Sequence, residues 1–381
     1  VMDAEINKPR TCFQLCFDDG VGFSFDSSWR SYKSGTTQNG SAMSHVDRYG
    51  FMGGDQYTDP EEEHRISVDK LRKREMKWLD MFENWEKWMS KRFKKIRERC
   101  RKGIPPSLRS RAWQYLCGSK FLMEQNTGRY QEYLKRPVHP QWEDDIKKDL
   151  HRQFPAHEMF TAKGGHGQED LFNILRAYTI HNPQDGYCQA QGPIAAVLLM
   201  HMPAEQAFWC LVSICEKYLP GYYSPGLEAV QVDGDVLFGL LKRTSPPIYK
   251  HIKKQRMEPI LYMTEWFMCV FTRTLPWGCV LRVWDMFLCE GVKVVFRIAL
   301  VLFRIALGEP GCLTQCPTMY ETLEKLRRLP IHSLEEEFIV QESLRLNITE
   351  RDMEKEHQKQ IQHRRSKEIN GDKPGRHKHK S

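Results

Sequence analysis

The sequence lacks the long uninterrupted apolar run that a helix needs to cross a bilayer. The best candidate, residues 292–307, is interrupted by Lys293, Arg297 and Arg304, which predicts a core helix with one basic edge. The first thirty residues also lack a charged start followed by an apolar stretch, so no signal peptide is predicted. Together these absences favour a protein of the cytoplasm.

Metal- and nucleotide-binding motifs are absent as well. The twelve cysteines include no Cys-x-x-Cys pair and no His-Glu-x-x-His occurs, so neither a metal site nor a cofactor of its own is predicted. The stretch Gly164-Gly165-His166-Gly167 follows no strand and precedes no Gly-Lys-Ser/Thr, which predicts a flexible connection instead of a phosphate-binding loop. No histidine in the sequence pairs with Cys188, which disfavours a cysteine-dependent hydrolase.

The net charge of +8 is unevenly distributed. Residues 351–381 contain ten Lys and Arg against five acids, a net of +5, whereas the preceding 350 residues share +3. Nucleic-acid binding by the folded part is therefore not predicted. Two interpretations of this basic, polar tail stay open: a weak contact with an anionic membrane surface, or a solvated tail without a partner. At most a solvated helix to Lys367 is predicted, with disorder after Gly371.

The apolar pattern divides the rest of the chain. Residues 1–65 are rich in Gly, Ser and Asp and are predicted to be disordered. Apolar residues then recur at helical spacing, which predicts an amphipathic lead-in helix over 66–102 that packs on the main domain. After Gly103 the apolar segments have helical lengths and no convincing strand alternation, so an all-α domain is predicted. Its core is expected over 103–310 and a C-terminal helical part over 311–350.

The first of two informative stretches ends a helix. Ile146 belongs to an apolar helix face, while Asp149 and Arg152 lie three residues apart and can touch on its flank. Pro155 disfavours helical geometry at the residue before it, so the helix should end at or just before Phe154. Arg152 is then expected in the last turn, with its guanidinium directed outward.

The second stretch begins a helix. Asn182-Pro183 and Asp185-Gly186 are turn dipeptides, and Pro193 is placed for the first turn of an apolar segment over 194–202. Gln189 is therefore expected near a junction between a turn and a helix.

These stretches match a known pair of motifs. Ile146-x-x-Asp149-x-x-Arg152 followed by Tyr187-x-Gln189 resembles the arginine- and glutamine-finger motifs of the TBC-domain proteins, which activate GTP hydrolysis by Rab-type GTPases. Four motifs occur in order between about residues 103 and 307, and this order makes the resemblance specific. The other two are the opening motif, Gly103-Ile104-Pro105 with Arg109-x-x-x-Trp113, and the late motif, Arg282-x-Trp284-Asp285.

The resemblance implies a multi-helix TBC-type domain that is an activator and has no nucleotide site of its own. It would act on the GTP and Mg²⁺ held by a Rab-family GTPase in its GTP form, and so regulate membrane trafficking. Arg152 is implied to stabilise charge on the transferred phosphoryl group, and Gln189 to orient the attacking water. Ile146, Asp149 and Tyr187 are implied to support these two fingers.

The opening and late motifs are predicted to be structural. Because Arg282 and Asp285 lie three residues apart on one helix, a buried ion pair between them is expected to brace the domain. The other residues predicted for this role are Gly103, Arg109, Trp113 and Trp284.

Plainer interpretations stay open. Arg152 could form only a surface ion pair with Asp149, and Gln189 could bond a local amide at a helix start, which would leave Gln191 as the alternative glutamine. A non-catalytic Rab-binding or scaffold protein with the same fold is the alternative function. Such a protein has no need of both Arg152 and Gln189.

Within the family, the central block most resembles the ezrin-associated subgroup found at actin-rich apical membranes. Residues 151–155 and 201–206 are among the matching stretches. A cortical or membrane scaffold protein is therefore a candidate partner, with recruitment from the cytoplasm to the plasma membrane or to vesicle membranes. Members of that subgroup can end in an apolar PDZ-binding tail, whereas this sequence ends His379-Lys380-Ser381.

Overall fold

The computed structural model describes residues 46–52, 67–330 and 334–371, with side chains up to residue 366. Over these ranges the chain forms twenty α-helices, and strand-type pairing is limited to isolated bridges. The predicted all-α fold class is confirmed.

The helices fall into three groups along the chain. The lead-in group is α1 (Val68–Glu83), α2 (Trp85–Lys91) and α3 (Phe93–Arg101). The central group is α4 (Pro106–Cys117), α5 (Ser119–Gln125), α6 (Arg129–Lys135), α7 (Pro140–Leu150), α8 (Glu158–Thr161), α9 (His166–His181), α10 (Gln191–Leu199), α11 (Ala204–Ser213), α12 (Glu228–Thr244), α13 (Pro246–Lys254), α14 (Ile260–Met263), α15 (Trp277–Glu290) and α16 (Lys293–Leu307). The C-terminal group is α17 (Cys312–Gln315), α18 (Met319–Arg327), α19 (Glu336–Arg345) and α20 (Glu350–Gly371). Two π-helical turns, Ile214–Tyr218 and Thr264–Met268, continue α11 and α14.

The lead-in segment is three helices, whereas its periodicity predicts one. The breaks fall at Asn84 and Arg92, whose φ angles of −124° and −133° are not helical. The Asn84 side chain donates to the Asp80 carbonyl at 3.3 Å, a local bond that competes with helix continuation. The apolar stripe packs on the main domain as predicted. Its buried members include Trp78, Phe82, Trp85 and Ile96.

The interior of the central group is built around α10, α15 and α16. All nine residues of α10 are buried, as expected of a helix that is apolar on every side. Helices α9 and α11 pack on α10, and the lead-in helix α3 packs on α15. The beginning of α10 is therefore held by the core itself.

Residues 46–52 have an ordered place, which corrects the predicted disorder of 1–65 for this part. The Met52 N–H donates to the Ala156 carbonyl, and the Glu158 N–H donates to the Gly50 carbonyl, both at 2.8 Å. The segment has no period of its own because distant residues hold it. Residues 1–45 and 53–66 lie outside the described residues, so the prediction is not addressed there.

The C-terminal helix α20 is docked, which corrects the predicted solvated helix. Arg364 donates from Nε and Nη2 to one carboxylate oxygen of Asp235 on α12, at 2.9 and 2.6 Å, and Met353 is buried. Because three ion pairs to α12 and α16 and a few apolar contacts hold this helix, its sequence shows no long apolar stripe. The predicted disorder after Gly371 falls outside the described residues.

Candidate functional site

Arg152 lies two residues after the end of α7. This helix ends at Leu150, earlier than predicted, and the N–H groups of Arg152 and Gln153 bond the carbonyls of Asp149 and Leu150 in tight turns at 3.3 and 3.2 Å. Phe154, the residue before Pro155, has a φ of +43°. The proline disfavours right-handed helical geometry at Phe154, and a bulky residue adopts the left-handed region only when its surroundings hold it there.

Asp149 joins the two predicted stretches. Its Oδ1 accepts a hydrogen bond from Arg152 Nη2, and its Oδ2 accepts one from the Tyr187 hydroxyl at 2.7 Å. Burial raises the pKa of the Asp149 carboxyl, while the Tyr187 hydrogen bond and the Arg152 charge act to lower it. Burial, together with the Asp149 charge, raises the pKa of Tyr187 well above its usual value, which keeps this hydroxyl a donor. The predicted contact between Asp149 and Arg152 is therefore confirmed.

Gln189 lies in the turn that precedes α10 and contacts Arg152. Because only donors face this end of its amide, the oxygen is assigned toward Arg152, where it accepts from Nη1 at 2.7 Å and from Nε at 3.3 Å, with Nη2 also in contact. Arg152 and Gln189 are both partly exposed. The structure thus brings the two predicted finger residues together at the surface, while Ile146 lies buried behind them.

Two glycines let the loops that carry Arg152 and Gln189 pack closely. Gly186 has a φ of +61°, and a Cβ there would lie 2.5 Å from the Trp142 ring on α7. A Cβ on Gly192 would lie 2.9 Å from Nε2 of Gln153, the residue after the arginine. The position of Gln189 relative to Arg152 is consequently fixed by contact between the loops.

The other candidate side chains near Gln189 point inward. Gln191 is fully buried, and its Oε1 accepts the Cys188 N–H at 3.1 Å, so it cannot reach a partner from this position. Burial raises the pKa of the Cys188 thiol to about 12, which makes it a poor nucleophile. Of the two glutamines weighed from the sequence, the exposed one is Gln189.

Arg273 is a site residue that sequence reasoning missed. It follows two residues with positive φ, Val270 and Phe271, and its Nη2 donates to the Arg152 carbonyl at 3.0 Å. Burial lowers the pKa of Arg273, and the nearby Glu265 carboxylate opposes that effect. Its partner is a backbone oxygen, which every residue has, so no motif could have revealed the contact.

The opening and late motifs meet at Asp285, but not through the predicted pair. Asp285 accepts from the Ile104 N–H at 2.8 Å, from Trp113 Nε1 at 2.8 Å and from Arg109 Nε at 3.2 Å. The expected Arg282–Asp285 ion pair does not form, because Asp285 points inward to α4 and its preceding loop.

Arg282 instead ties the lead-in group to α19. It donates to the Arg101 carbonyl at 3.0 Å and to Glu336 at 2.8 Å. A Cβ on Gly103 would lie 2.8 Å from Arg282 Nε, so this close approach depends on glycine. Trp284 Nε1 donates to the Val270 carbonyl at 3.2 Å, which anchors the segment that carries Arg273. The bracing role predicted for these motifs fits their contacts, with different partners.

The described residues contain neither a metal-binding cluster nor a membrane-spanning helix. Among the described residues, no group of three or more His, Cys, Asp and Glu side chains could hold a metal ion. In the same ranges, every helix is too short or too polar to span a bilayer.

Sequence relatives share most of this chain. A model of the Rab-GTPase-TBC domain matches residues 106–307. The chain is 61% identical to TBC1 domain family member 10B of Homo sapiens over 323 residues, which are 85% of this chain and 40% of that protein. It is 58% identical to TBC1 domain family member 10A of Mus musculus over 342 residues, 90% of this chain and 68% of that protein. It thus spans less than half of member 10B. The predicted family and subgroup are confirmed by these matches to members 10A and 10B.

Solved structures share the fold. The TBC domain of a Chlamydomonas flagellar RabGAP superposes with a TM-score of 0.60 at 24% identity, over 78% of this chain and 99% of that one. The Ypt/Rab-GAP domain of Gyp1p superposes with a TM-score of 0.55 at 20% identity, over 66% of this chain and 91% of that one. At these identities the likeness concerns the fold alone. The sequence matches carry the assignment further, and the chain belongs to the Rab-GTPase-TBC domain family.

Proposed function

We propose that this chain is a GTPase-activating protein that accelerates GTP hydrolysis by a Rab-family GTPase and so regulates membrane trafficking. A Rab GTPase is the partner that a TBC domain implies. The observation that carries the proposal is the direct contact of Arg152 with Gln189 at a partly exposed position. GTP hydrolysis requires stabilisation of charge on the phosphoryl group and a residue that orients the attacking water. An arginine and a glutamine presented together can supply both.

The nucleotide and Mg²⁺ belong to the partner in this proposal. When the GTP-bound Rab docks, its phosphate oxygens compete with Asp149 and Gln189 for the Arg152 guanidinium, whose planar fork can contact more than one oxygen. Gln189 is then released toward the water. Tyr187 holds Asp149 at 2.7 Å and Arg273 holds the Arg152 carbonyl at 3.0 Å, so the backbone stays in place while the guanidinium changes partners.

The test for Arg152 is a panel of GTP-loaded Rabs with phosphate release as the readout. Arg152→Ala and Arg152→Lys should each lose most of the acceleration, about 10³-fold or more, because lysine keeps the charge and loses the fork. Arg129→Ala is the matched control, since Arg129 also pairs with an acid three residues away, Glu132, on an exposed helix. A lysine variant as active as the wild type would exclude Arg152 as the finger.

The test for Gln189 uses a Rab whose own catalytic glutamine has been replaced. The wild-type chain should still accelerate hydrolysis by this Rab, and Gln189→Ala should not. Gln184→Ala is the control, because Gln184 is exposed on the same loop. Full activity of Gln189→Ala on every responsive Rab contradicts the glutamine assignment.

The alternative is a non-catalytic Rab-binding or scaffold protein. It requires the fold and the contacts of Asp285, and it gives no role to the Arg152–Gln189 contact. The same panel separates the two functions: a Rab that binds the chain in its GTP form, with no Rab in the panel hydrolysing faster, supports the scaffold.

We also propose a cytoplasmic location with recruitment to the plasma membrane or vesicle membranes, through a cortical scaffold protein or through basic residues. Two basic segments of the sequence are candidates for contact with anionic lipid. Residues 372–381 carry four basic residues and one acid, a net of +3, and residues 67–102 carry fourteen and six, a net of +8.

Sedimentation with anionic liposomes tests the membrane contact at low and physiological salt. A chain ending at Gly371 removes the terminal charge and keeps the docked α20, whereas Lys91→Glu with Lys94→Glu alters the exposed corner between α2 and α3. Loss of binding in only one of these variants assigns the membrane contact to the segment that this variant alters. No binding by the wild-type chain removes lipid from the proposal.

A further inference from the structure

Residues 46–52 form a compact turn, here called the N-terminal clip. The Asp47 carboxylate accepts from the N–H groups of Tyr49 and Phe51 at 2.8 and 2.9 Å. The Asp47 N–H donates to the Phe51 carbonyl at 2.9 Å, and residues 46 and 52 pair as an antiparallel bridge. The clip therefore has a defined shape, although it precedes the family-matched region by more than fifty residues.

The clip pairs with the segment that immediately follows Arg152. Its backbone exchanges hydrogen bonds with residues 156 and 158, and residues 51 and 157 form an antiparallel bridge. His157 Nε2 donates to the Tyr49 carbonyl at 2.9 Å, while its Nδ1 accepts the Met159 N–H at 3.2 Å. Burial lowers the pKa of His157, so the neutral ring is favoured and satisfies both bonds. The pairing is specific, because backbone groups of both segments and both ring nitrogens of His157 form hydrogen bonds at the contact.

Phe51 fills an aromatic pocket beneath the Arg152 loop. Its side chain is 2% exposed, and its ring centroid lies 6.4 Å from that of Phe154 and 5.0 Å from those of His157 and Trp277. Phe154 also contacts Trp277, at 5.6 Å. Phe154 is the residue held at a φ of +43°, two positions after Arg152. Phe51 thus packs on the residue whose unusual backbone sets the exit of the Arg152 loop.

We propose that the N-terminal clip is a positioning element for Arg152. Asp149 holds the guanidinium, Arg273 holds the carbonyl of Arg152, and the clip holds the chain beyond it. Catalysis by a presented side chain is sensitive to displacements of about 1 Å, which can cost about 10²-fold in rate. The inference rests on the proposed function, since it concerns the placement of the proposed finger.

The decisive variant is Phe51→Ala in the full chain, with Phe51→Leu as the conservative counterpart. Phe51→Ala should lower kcat for Rab GTP hydrolysis about tenfold to a hundredfold and leave KM within about twofold, because the Phe51 side chain is buried and does not contact the Rab. Phe51→Leu should recover most of the kcat. Combined with Arg152→Ala, Phe51→Ala should cause no further loss, since a clip that acts through Arg152 has nothing left to position.

Gly50 offers a second variant with a matched control. Gly50 has a φ of +91°, and a Cβ there would lie 2.6 Å from His157 Nε2, so Gly50→Ala should displace the clip and lower kcat like Phe51→Ala. Gly118 has a similar φ of +80° with no atom within 4 Å of the added Cβ. Gly118→Ala carries the same kind of backbone strain and should leave kcat unchanged.

Amide hydrogen exchange over residues 151–158 is the readout that does not depend on activity. In Phe51→Ala this segment should exchange faster, while α9 and α10 keep their wild-type protection. Unchanged exchange, unchanged kcat, or a loss that adds fully to that of Arg152→Ala would each overturn the inference. If Arg152→Ala alone is as active as the wild type, the proposed function is wrong. The clip would then still hold the loop, but the loop would carry no catalytic arginine.

Discussion

Two aspartate–arginine pairs in this molecule have the same chemistry and are buried to different degrees. In the Asp285–Arg109 pair the side chains are 0% and 11% exposed, whereas in the Asp149–Arg152 pair they are 10% and 29% exposed. Asp285 gathers donors that lie 172 to 181 residues away, and Asp149 pairs with an arginine three residues away. The first pair joins distant parts of the chain, and the second presents a guanidinium that a phosphate can reach. Burial and sequence separation, more than residue type, distinguish the bracing pair from the proposed catalytic one.

The largest effect on stability is expected from Asp285→Ala. The substitution leaves the buried Arg109 guanidinium and the N–H groups of Ile104 and Trp113 without their acceptor. The free energy of unfolding should fall by about 3–5 kcal/mol, the usual cost of leaving one member of a buried ion pair. Chemical denaturation followed by far-UV circular dichroism measures it.

Asp285→Asn is the companion variant, because its amide oxygen can still accept from Trp113 or Ile104. Its loss of stability should be smaller than that of Asp285→Ala, and it provides the measurement if the alanine variant does not accumulate as folded protein. A change below about 1 kcal/mol for Asp285→Ala would mean that this pair does not brace the domain.

The less buried pair, Asp149–Arg152, should respond in activity more than in stability. Asp149→Asn removes the charge that orients Arg152 and receives the Tyr187 hydroxyl. Because Asp149 orients Arg152 before docking and misplacing a catalytic group by about 1 Å can cost about 10²-fold, the rate of Rab GTP hydrolysis should decrease about 10- to 100-fold. Asp144→Asn is the control, since Asp144 pairs with Lys148 on the same helix at an exposed position. If Asp149→Asn keeps full activity, or if it unfolds as readily as Asp285→Ala, the two pairs do not differ in role as proposed.

The smallest expected effect comes from two tyrosine hydroxyls. Tyr187→Phe removes the donor to Asp149, which should slow hydrolysis about three- to tenfold, equivalent to about 0.5–1.5 kcal/mol. Tyr218→Phe removes a donor to the Leu116 and Leu288 carbonyls in the interior, and should cost about 1 kcal/mol of stability without slowing hydrolysis. Equal effects of the two variants on rate would argue that Tyr187 has only a structural role.

Sequence reasoning reached the helical class and the two loops because these depend on local signals. Pro155 marks the end of α7 to within a few residues, and the turn dipeptides before Gly186 mark the approach to α10. The motif spacing then singled out Arg152 and Gln189, which the structure places in contact. Their roles in hydrolysis stay predictions.

The contacts that were missed or wrongly predicted have one physical cause in common. Their partners are distant in the sequence, so no periodic pattern of residues marks them. The spacing of Arg282 and Asp285 suggested a local pair, yet Asp285 turns to Arg109, 176 residues earlier. Arg273 bonds a backbone carbonyl, and the clip lies in a segment without regular structure. Each contact is selected by packing of the whole chain, so local propensity could not locate it.

The carboxylate of Asp149 also has a consequence for which anions can reach Arg152. Because it is tethered three residues away, it acts as a built-in competitor whose effective concentration at the guanidinium is about millimolar or higher. Dissolved phosphate or chloride must exceed that local concentration to displace it, whereas in the proposed function a docked Rab delivers several phosphate oxygens at once from a tethered position of its own. An arginine held in this way is protected from dilute anions and yields to a nucleotide brought by a bound protein.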